Sequence, residues 1–411
     1  MQAVIAFLVA FSTIVFLINR RVQLGWAMFT GAVILGLLGG LGPMATFRHL
    51  LAAALDARTL NLMLVISLVW VLGSIMRGTG SLKVMIESLL GLLPDRRFVI
   101  AVIPAVVGLL NVPGGAVLSA PMIAEVGEEA GLNPEARAAA NVVFRHLFYP
   151  VFPLYPTLIF TIGVTGVPMA ELIRLGLVPV LLSGLIAFYV LFRGARRGGL
   201  SSGNRVAALG SFLRCTAPIS VTLLLALTGL LPFPLAVSAG ILVALLNYLP
   251  SVDISSLVGE ISRRIHQYGV RDFRFEPVFA VLGVMVFREV IEASGVVQVI
   301  AGDMMDLRVP TLALLVAMPA VTGVVTGTNL GAIGITMPVL TPLLESHQLV
   351  PGVFLVFMAG CAGYYVSPLH LCVVLTREYY KARVGGIYHL LLPPTVVLVV
   401  SSIVIAVLWG L

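Results

Sequence analysis

For most of its length this chain carries almost no charge. Arg214 is the single charged residue between Ala208 and Leu230, and Gln2–Ile18 and Phe233–Leu249 have none. A helix of about 20 apolar residues crosses the hydrocarbon core of a bilayer. Stretches of this kind are Gln2–Ile18, Trp26–Gly42, Leu60–Met76, Ala170–Phe192, Ala208–Leu230, Phe233–Leu249, Pro277–Ile291 and Ile387–Trp409. Asn141–Val164 and Gly352–Leu375 are also long enough, but proline interrupts them. The fold class expected is an all-α polytopic membrane protein with ten crossings. Ala45–Leu55, Leu82–Leu93 and Val252–Tyr268 are amphipathic and suit the interface. With 10% charged and 59% apolar residues, the chain cannot clothe a soluble globule, which carries about a quarter charged residues. That excludes a cytosolic enzyme, a disordered protein and a nucleic-acid binder. No basic region precedes the first apolar run, and Asn19-Arg20-Arg21 follows it, so it is expected to stay as a membrane helix rather than a cleaved signal.

Two apolar regions do not fit as simple crossings. Phe98–Leu110 leads into Asn111-Val112-Pro113-Gly114-Gly115, then Ala116–Ala124; Val309–Val325 leads into Thr326-Gly327-Thr328-Asn329, then Leu330–Leu344. Arms of about a dozen residues at 1.5 Å per residue cover roughly half a bilayer. Both regions are expected to be re-entrant hairpins, over 98–127 and 309–344, with tips near the midplane. With ten crossings and the N-terminus outside, only Arg48, Arg58, Arg174 and Arg308 fall in outer segments. Arg288 lies in a span, and the remaining lysines and arginines fall inside, a strong positive-inside bias. The location expected is the inner (plasma) membrane.

The chain also repeats itself. Pro104-Ala-Val-Val-Gly108 recurs as Pro319-Ala-Val-Thr-Gly323, Gly80 as Gly295, and Tyr149-Pro-Val-Phe-Pro-Leu154 as Tyr364-Tyr-Val-Ser-Pro-Leu369, all about 215 residues later. Gly115-Ala116 matches Gly331-Ala332 one residue out of register. Residues 1–192 would form one repeat, 193–207 a cytoplasmic linker and 208–411 the second repeat. Each would hold five transmembrane helices, one hairpin and one Pro-broken helix. An odd number of crossings inverts the second copy, which is the plan of secondary transporters that bind substrate at the midplane.

Irregular backbone at membrane depth is tolerated only inside protein or beside a water-filled cavity. At each tip the N-terminus of the second arm favours an anion. Asn111, Pro113, Gly114, Gly115, Thr326, Gly327, Thr328, Asn329 and Gly331 are therefore candidate substrate residues; the glycines equally suit close helix packing. Pro150, Pro153 and Pro156 free carbonyls around Phe152, and Pro368 does so around Val366. Tyr155, Ser367 and His370 join the substrate set. Unwound carbonyls near Asn111, Phe152, Asn329 and Val366 suit a sodium ion, although a plain kink accounts for the prolines as well. His370 lies deep in an apolar stretch, where an ionisable group marks function. It is placed to carry a coupling proton or contact a carboxylate, or else to sit neutral against a helix carbonyl. His146, beside Arg145, is expected at the interface. Glu289 is the second coupling candidate. Arg288 and Glu292, at i and i+4, suit a structural ion pair. Asn141, Asn247, Ser119 and Thr336 are expected to be satisfied polar groups.

Hairpin, Pro-broken helix and closing helix, repeated in inverted topology, resemble the ion transporter superfamily of gluconate, citrate, dicarboxylate and arsenite carriers. The two tips look most like its domain-of-unknown-function 401 group, and that likeness spans nearly the whole chain. Dicarboxylate carriers have Ser-Asn-Thr at each tip, and no such triplet occurs here. The resemblance implies elevator-type alternating access, with a scaffold of the first two helices of each repeat that also forms a homodimer interface. The function expected is secondary active transport of a small organic anion, a carboxylate, coupled to H+ or Na+. The alternative is a monovalent cation/proton antiporter. No His-Glu-x-x-His or Gly-x-x-x-x-Gly-Lys sequence occurs, so an enzyme is not expected. Nor is any cofactor expected. Cys215, Cys361 and Cys372 lack the paired spacing of a disulfide or zinc motif, and no metal site is expected.

Overall fold

The computed structural model describes residues 2–93, 95–109, 115–198, 205–247, 259, 262–264, 266–267, 271, 273–296, 299 and 310–411. These residues are almost wholly helical, with no strand among them. In the first half the helices are α1 (Gln2–Asn19), α2 (Leu24–Leu38), α3 (Gly42–Leu55), α4 (Ala57–Gly78), α5 (Ser81–Leu92), α6 (Arg96–Leu109), α7 (Gly115–Glu129), α8 (Pro134–Leu147), α9 (Pro156–Thr165) and α10 (Met169–Phe192). The second half holds α11 (Arg205–Leu227), α12 (Phe233–Leu246), α13 (Glu276–Ser294), α14 (Thr311–Thr326), α15 (Asn329–Leu340), α16 (Leu349–Tyr365), α17 (Leu371–Tyr380) and α18 (Val384–Leu408). Among the described residues, five helices are long and apolar enough to cross a membrane: α4, α8 continued through its break into α9, α10, α11 and α18. The chain is a multi-pass membrane protein. The amphipathic candidates near residues 45–55 and 82–93 are α3 and α5. The third, Val252–Tyr268, lies mostly outside the described residues.

The regions expected to be hairpins are helix pairs. α14 and α15 are separated by Gly327 and Thr328 and pack against each other, as do α6 and α7. Gly327 has φ +63°, the left-handed region that glycine enters at no steric cost, and it caps α14 by donating its N–H to the Gly323 carbonyl. A Cβ there would also meet the Leu369 backbone at 2.9 Å. Thr328 then opens α15, its hydroxyl accepting from the Gly331 N–H at 3.3 Å. The residues linking α6 to α7, Asn111, Pro113 and Gly114 among them, lie outside the described residues.

Both proline-rich stretches break. After α8 the chain makes a single 3₁₀ turn over Tyr149–Val151 before Pro156 starts α9. After α16 it stays irregular until Leu371 starts α17. Tyr155 (φ −73°, ψ 121°) and His370 (φ −64°, ψ 111°) occupy the same cap position, 215 residues apart. The starts of α6, α9 and α10 at Arg96, Pro156 and Met169 recur at the same separation as the starts of α14, α17 and α18 at Thr311, Leu371 and Val384. Gly80 and Gly295 both have positive φ.

Packing interleaves the two halves. In one block α2 runs along α13, and α12 along α4. The first contact depends on small residues: a Cβ on Gly283 would stand 2.5 Å from the Gly25 carbonyl oxygen. In the other block α6 packs on α8, α14 on α16, and the closing helices α10 and α18 on each other. Gly108 of α6 allows its contact, since a Cβ would meet the Arg145 carbonyl oxygen at 1.9 Å. Gly323 of α14 does the same against the Gly360 oxygen at 2.8 Å.

Candidate functional site

The breaks of the two halves meet in the second block. His146 ends α8, and its ring lies against His370, with the two Nε2 atoms 3.2 Å apart. Each residue is 1% exposed. His146 is thus buried inside the protein rather than interfacial, because the last turn of α8 is covered by α16 and by the α16–α17 break. Its Nδ1 lies 2.6 Å from the Val142 carbonyl oxygen. A carbonyl only accepts, so Nδ1 carries the proton and Nε2 presents its lone pair. The Tyr364 hydroxyl stands 3.3 Å from that Nε2, and the Tyr365 hydroxyl donates to the His146 carbonyl at 2.7 Å. The aromatic rings continue on both sides: Tyr149 stacks on Tyr155 at 4.2 Å, and Tyr364 lies over His370 at 4.0 Å.

Asn329, at the second tip, reaches the same cluster. It is 3% exposed, and its Nδ2 donates to the Tyr155 hydroxyl at 3.3 Å and to Cys361 Sγ at 3.2 Å. Its Oδ1 is buried, with no hydrogen-bond partner among the described residues. Cys361 lies 215 residues after His146, as His370 does after Tyr155. The His146–His370 contact in one place therefore corresponds to the Cys361–Tyr155 neighbourhood, bridged by Asn329, in the other. Cys361, Tyr364, Tyr365 and His146 were not picked out from sequence as site residues. The 215-residue shift was the signal, since it pairs His146 with Cys361 and Tyr149 with Tyr364.

Arg145 brings a cation to this region. It is 3% exposed, and a Cβ on Gly115 at the start of α7 would meet its guanidinium nitrogen at 2.4 Å. Arg145 is also the charge neighbouring Cys372. Beneath it, Asn141 holds α7 and α17 together. Its Oδ1 accepts from Ser119 Oγ at 2.6 Å, and its Nδ2 donates to the Ala116 carbonyl at 3.0 Å and to Thr376 Oγ1 at 3.1 Å.

The other expected residues divide. Thr326 donates to the Thr322 carbonyl at 2.7 Å and to the Thr328 carbonyl at 3.2 Å, which shapes the tip from within. Thr328 is exposed, and Gly331 is buried behind it. Ser367 Oγ donates to the Val324 carbonyl and accepts from the Leu369 N–H, tying the break to α14. Phe152 and Pro156 face a cavity between the two blocks that Trp70 and Arg77 of α4 also line. Val366 remains half-buried in its break. Glu289 does not join the cluster. It lies on α13 with its carboxylate 3.0 Å from His49 Nδ1, in a separate polar pocket with Asp56, Arg58 and Glu292. Arg288 Nε donates to Glu292 at 2.7 Å, the expected i, i+4 pair.

The family model described as Protein of unknown function (DUF401) matches residues 3–408. No curated protein matches the sequence. Among solved structures, the Alcanivorax borkumensis YdaH transporter, whose crystal structure is described as revealing an unusual topology, aligns with a TM-score of 0.61 at 15% identity. The alignment covers 97% of this chain and 98% of that one. At that identity the likeness is one of fold.

Proposed function

The chain belongs to the DUF401 family, and we propose that it is a secondary active transporter of a small organic anion. The substrate would lie between the two tips and the two breaks. One observation carries this reading: buried polar side chains from both halves converge where both helices break, with Asn329 reaching Tyr155 across that junction. Broken helices buried within protein are where secondary transporters hold substrate and coupling ion.

Anion selectivity has two physical sources here. The buried Arg145 guanidinium sits against Gly115, the first residue of α7, so a side-chain charge adds to the positive end of a helix. Arg77 faces the cavity between the blocks, beside Phe152. Asn329 Oδ1, without a partner among the described residues, is an acceptor for a sodium ion or a substrate hydroxyl; H+ or Na+ would drive transport. The matching element starts 215 residues apart support an inverted repeat whose hairpins re-enter the membrane. Interleaved blocks, one with α2 and α12 and one with both breaks, suit an elevator-type motion. A homodimer through the first block, in the inner membrane with the N-terminus outside, completes the reading. The shared fold with a protein described as a transporter agrees with it.

The antiporter alternative needs a carboxylate at the site. Glu289 is engaged with His49 elsewhere, which favours the anion carrier.

Thermal unfolding of the purified protein against sugar acids, citrate-like acids and lactate-like monocarboxylates, with and without sodium, tests the proposal. A ligand that binds the native state raises Tm. An organic anion that raises Tm supports the carrier; stabilisation by sodium alone, with no response to any anion, supports the antiporter.

A further inference from the structure

Three donor atoms in the cluster meet in a way the transport reading does not use. One ring nitrogen of His146, one of His370 and the Cys372 Sγ all lie within 4.8 Å of one another, and all three residues are buried. The two imidazole nitrogens are 3.2 Å apart, close to the ligand–ligand spacing around an ion held at about 2.0–2.1 Å by each nitrogen. His146 is already in the ligating form. Its Nδ1 proton is committed to the Val142 carbonyl, the outer hydrogen bond that fixes the tautomer and aims Nε2 at a metal. His370 caps α17 and Cys372 lies in its first turn, so helix geometry brings those two donors to one end of the helix. Cys372 forms no disulfide.

We propose that His146, His370 and Cys372 form a binding site for a thiophilic d10 cation, Zn2+ or Cu+. Two imidazoles and one thiolate select such ions over Na+, Mg2+ and Ca2+, which prefer oxygen donors. On binding, the Cys372 S–H proton leaves to solvent and the sulfur takes the metal in its place; no electron is transferred. Three donors complete a trigonal Cu+ site. For Zn2+ the Tyr364 hydroxyl, 3.3 Å from His146 Nε2, would supply a fourth donor. The ion would bridge α8 of the first half to the α16–α17 break of the second. The two histidines stand 224 residues apart in the chain, which is why motif spacing does not reveal the site.

The site lies in the junction proposed for transport, but its failure is distinguishable from failure of that reading, because binding is measured on detergent-solubilised protein without a substrate. The full-length chain, stripped with chelator, is titrated with Zn2+, with Cu+ under reducing conditions, and with Co2+ as a spectroscopic stand-in for Zn2+. The expected result is one ion per chain, a rise in Tm and a thiolate-to-Co2+ charge-transfer band. That band is lost in Cys372→Ser, whereas Cys215→Ser keeps it. His370→Ala weakens binding by about tenfold or more. Binding of Zn2+ alone or Cu+ alone supports the site and identifies its ion. Absence of stoichiometric binding by wild type, or a Cys372→Ser protein with unchanged affinity and spectrum, overturns it.

Discussion

His146 and His370, far apart in the chain, face each other through Nε2 atoms 3.2 Å apart inside the protein. The contact exists because α8 and α16 both stop at breaks that contain proline and the two breaks meet. Each half alone would leave one of these imidazoles without the other.

Asn329 depends on the same junction. Tyr155→Phe keeps the ring stack on Tyr149 but removes the hydroxyl that accepts from Asn329 Nδ2. A net loss of about 0.5–1.5 kcal/mol in stability is expected, with weaker affinity for the transported anion. Thermal unfolding and ligand-induced Tm shifts on the same preparation separate the two effects.

Arg145→Gln removes the buried guanidinium beside Gly115. Stabilisation by organic anions should drop at least tenfold in apparent affinity, a change of about 1.4 kcal/mol. Titration of the stabilising anion in wild type and variant measures it. Equal affinities would place the anion away from the start of α7.

Gly108→Ala and Gly323→Ala test the matched packing of the two halves. The added Cβ would meet the Arg145 oxygen at 1.9 Å in one case and the Gly360 oxygen at 2.8 Å in the other. Both variants should lose about 1–3 kcal/mol through overpacking, with Gly108→Ala the more severe. Thermal unfolding in detergent ranks them.

Asp95 opens α6 from outside the apolar spans. Its carboxylate accepts the Arg97 N–H at 2.9 Å and the Arg97 guanidinium at 2.8 Å. The hydrogen-bonded guanidinium holds its pKa below the usual 3.8. A carboxylate with a lowered folded pKa stabilises the fold above the unfolded pKa, and that contribution is lost as pH falls through the folded one. Asp95→Asn should therefore lower Tm at neutral pH, by up to about 1 kcal/mol for loss of the ion pair with the Arg97 guanidinium. The gap to wild type should close below about pH 4. A pH series of melting curves on both proteins checks this.

The breaks and helix pairs were legible because proline and glycine act locally. Pro150, Pro153 and Pro368 stand in the two breaks and Pro156 starts the helix after the first, while Gly327 supplies a positive φ that other residues resist. The apolar runs were legible for the same reason: hydropathy needs no partner. What could not be read was which polar groups meet. His146 beside Arg145 resembles an interfacial pair until α16 and the α16–α17 break cover it. Glu289 resembles a coupling carboxylate until α3 brings His49 to it. Cys361 acquires meaning only when Asn329 arrives from the neighbouring helix pair. Each of these depends on tertiary contacts that one sequence does not encode locally.

Reconstituted uptake in Asn329→Ala decides most directly whether the meeting point of the two breaks is a transport site. Wild type in liposomes should take up an organic anion saturably under an inward Na+ or H+ gradient. The variant, inserted to the same level, should fall to the rate of protein-free vesicles. Uptake by Asn329→Ala at the wild-type rate, or no uptake of any organic anion by wild type, would contradict an anion carrier built on that junction.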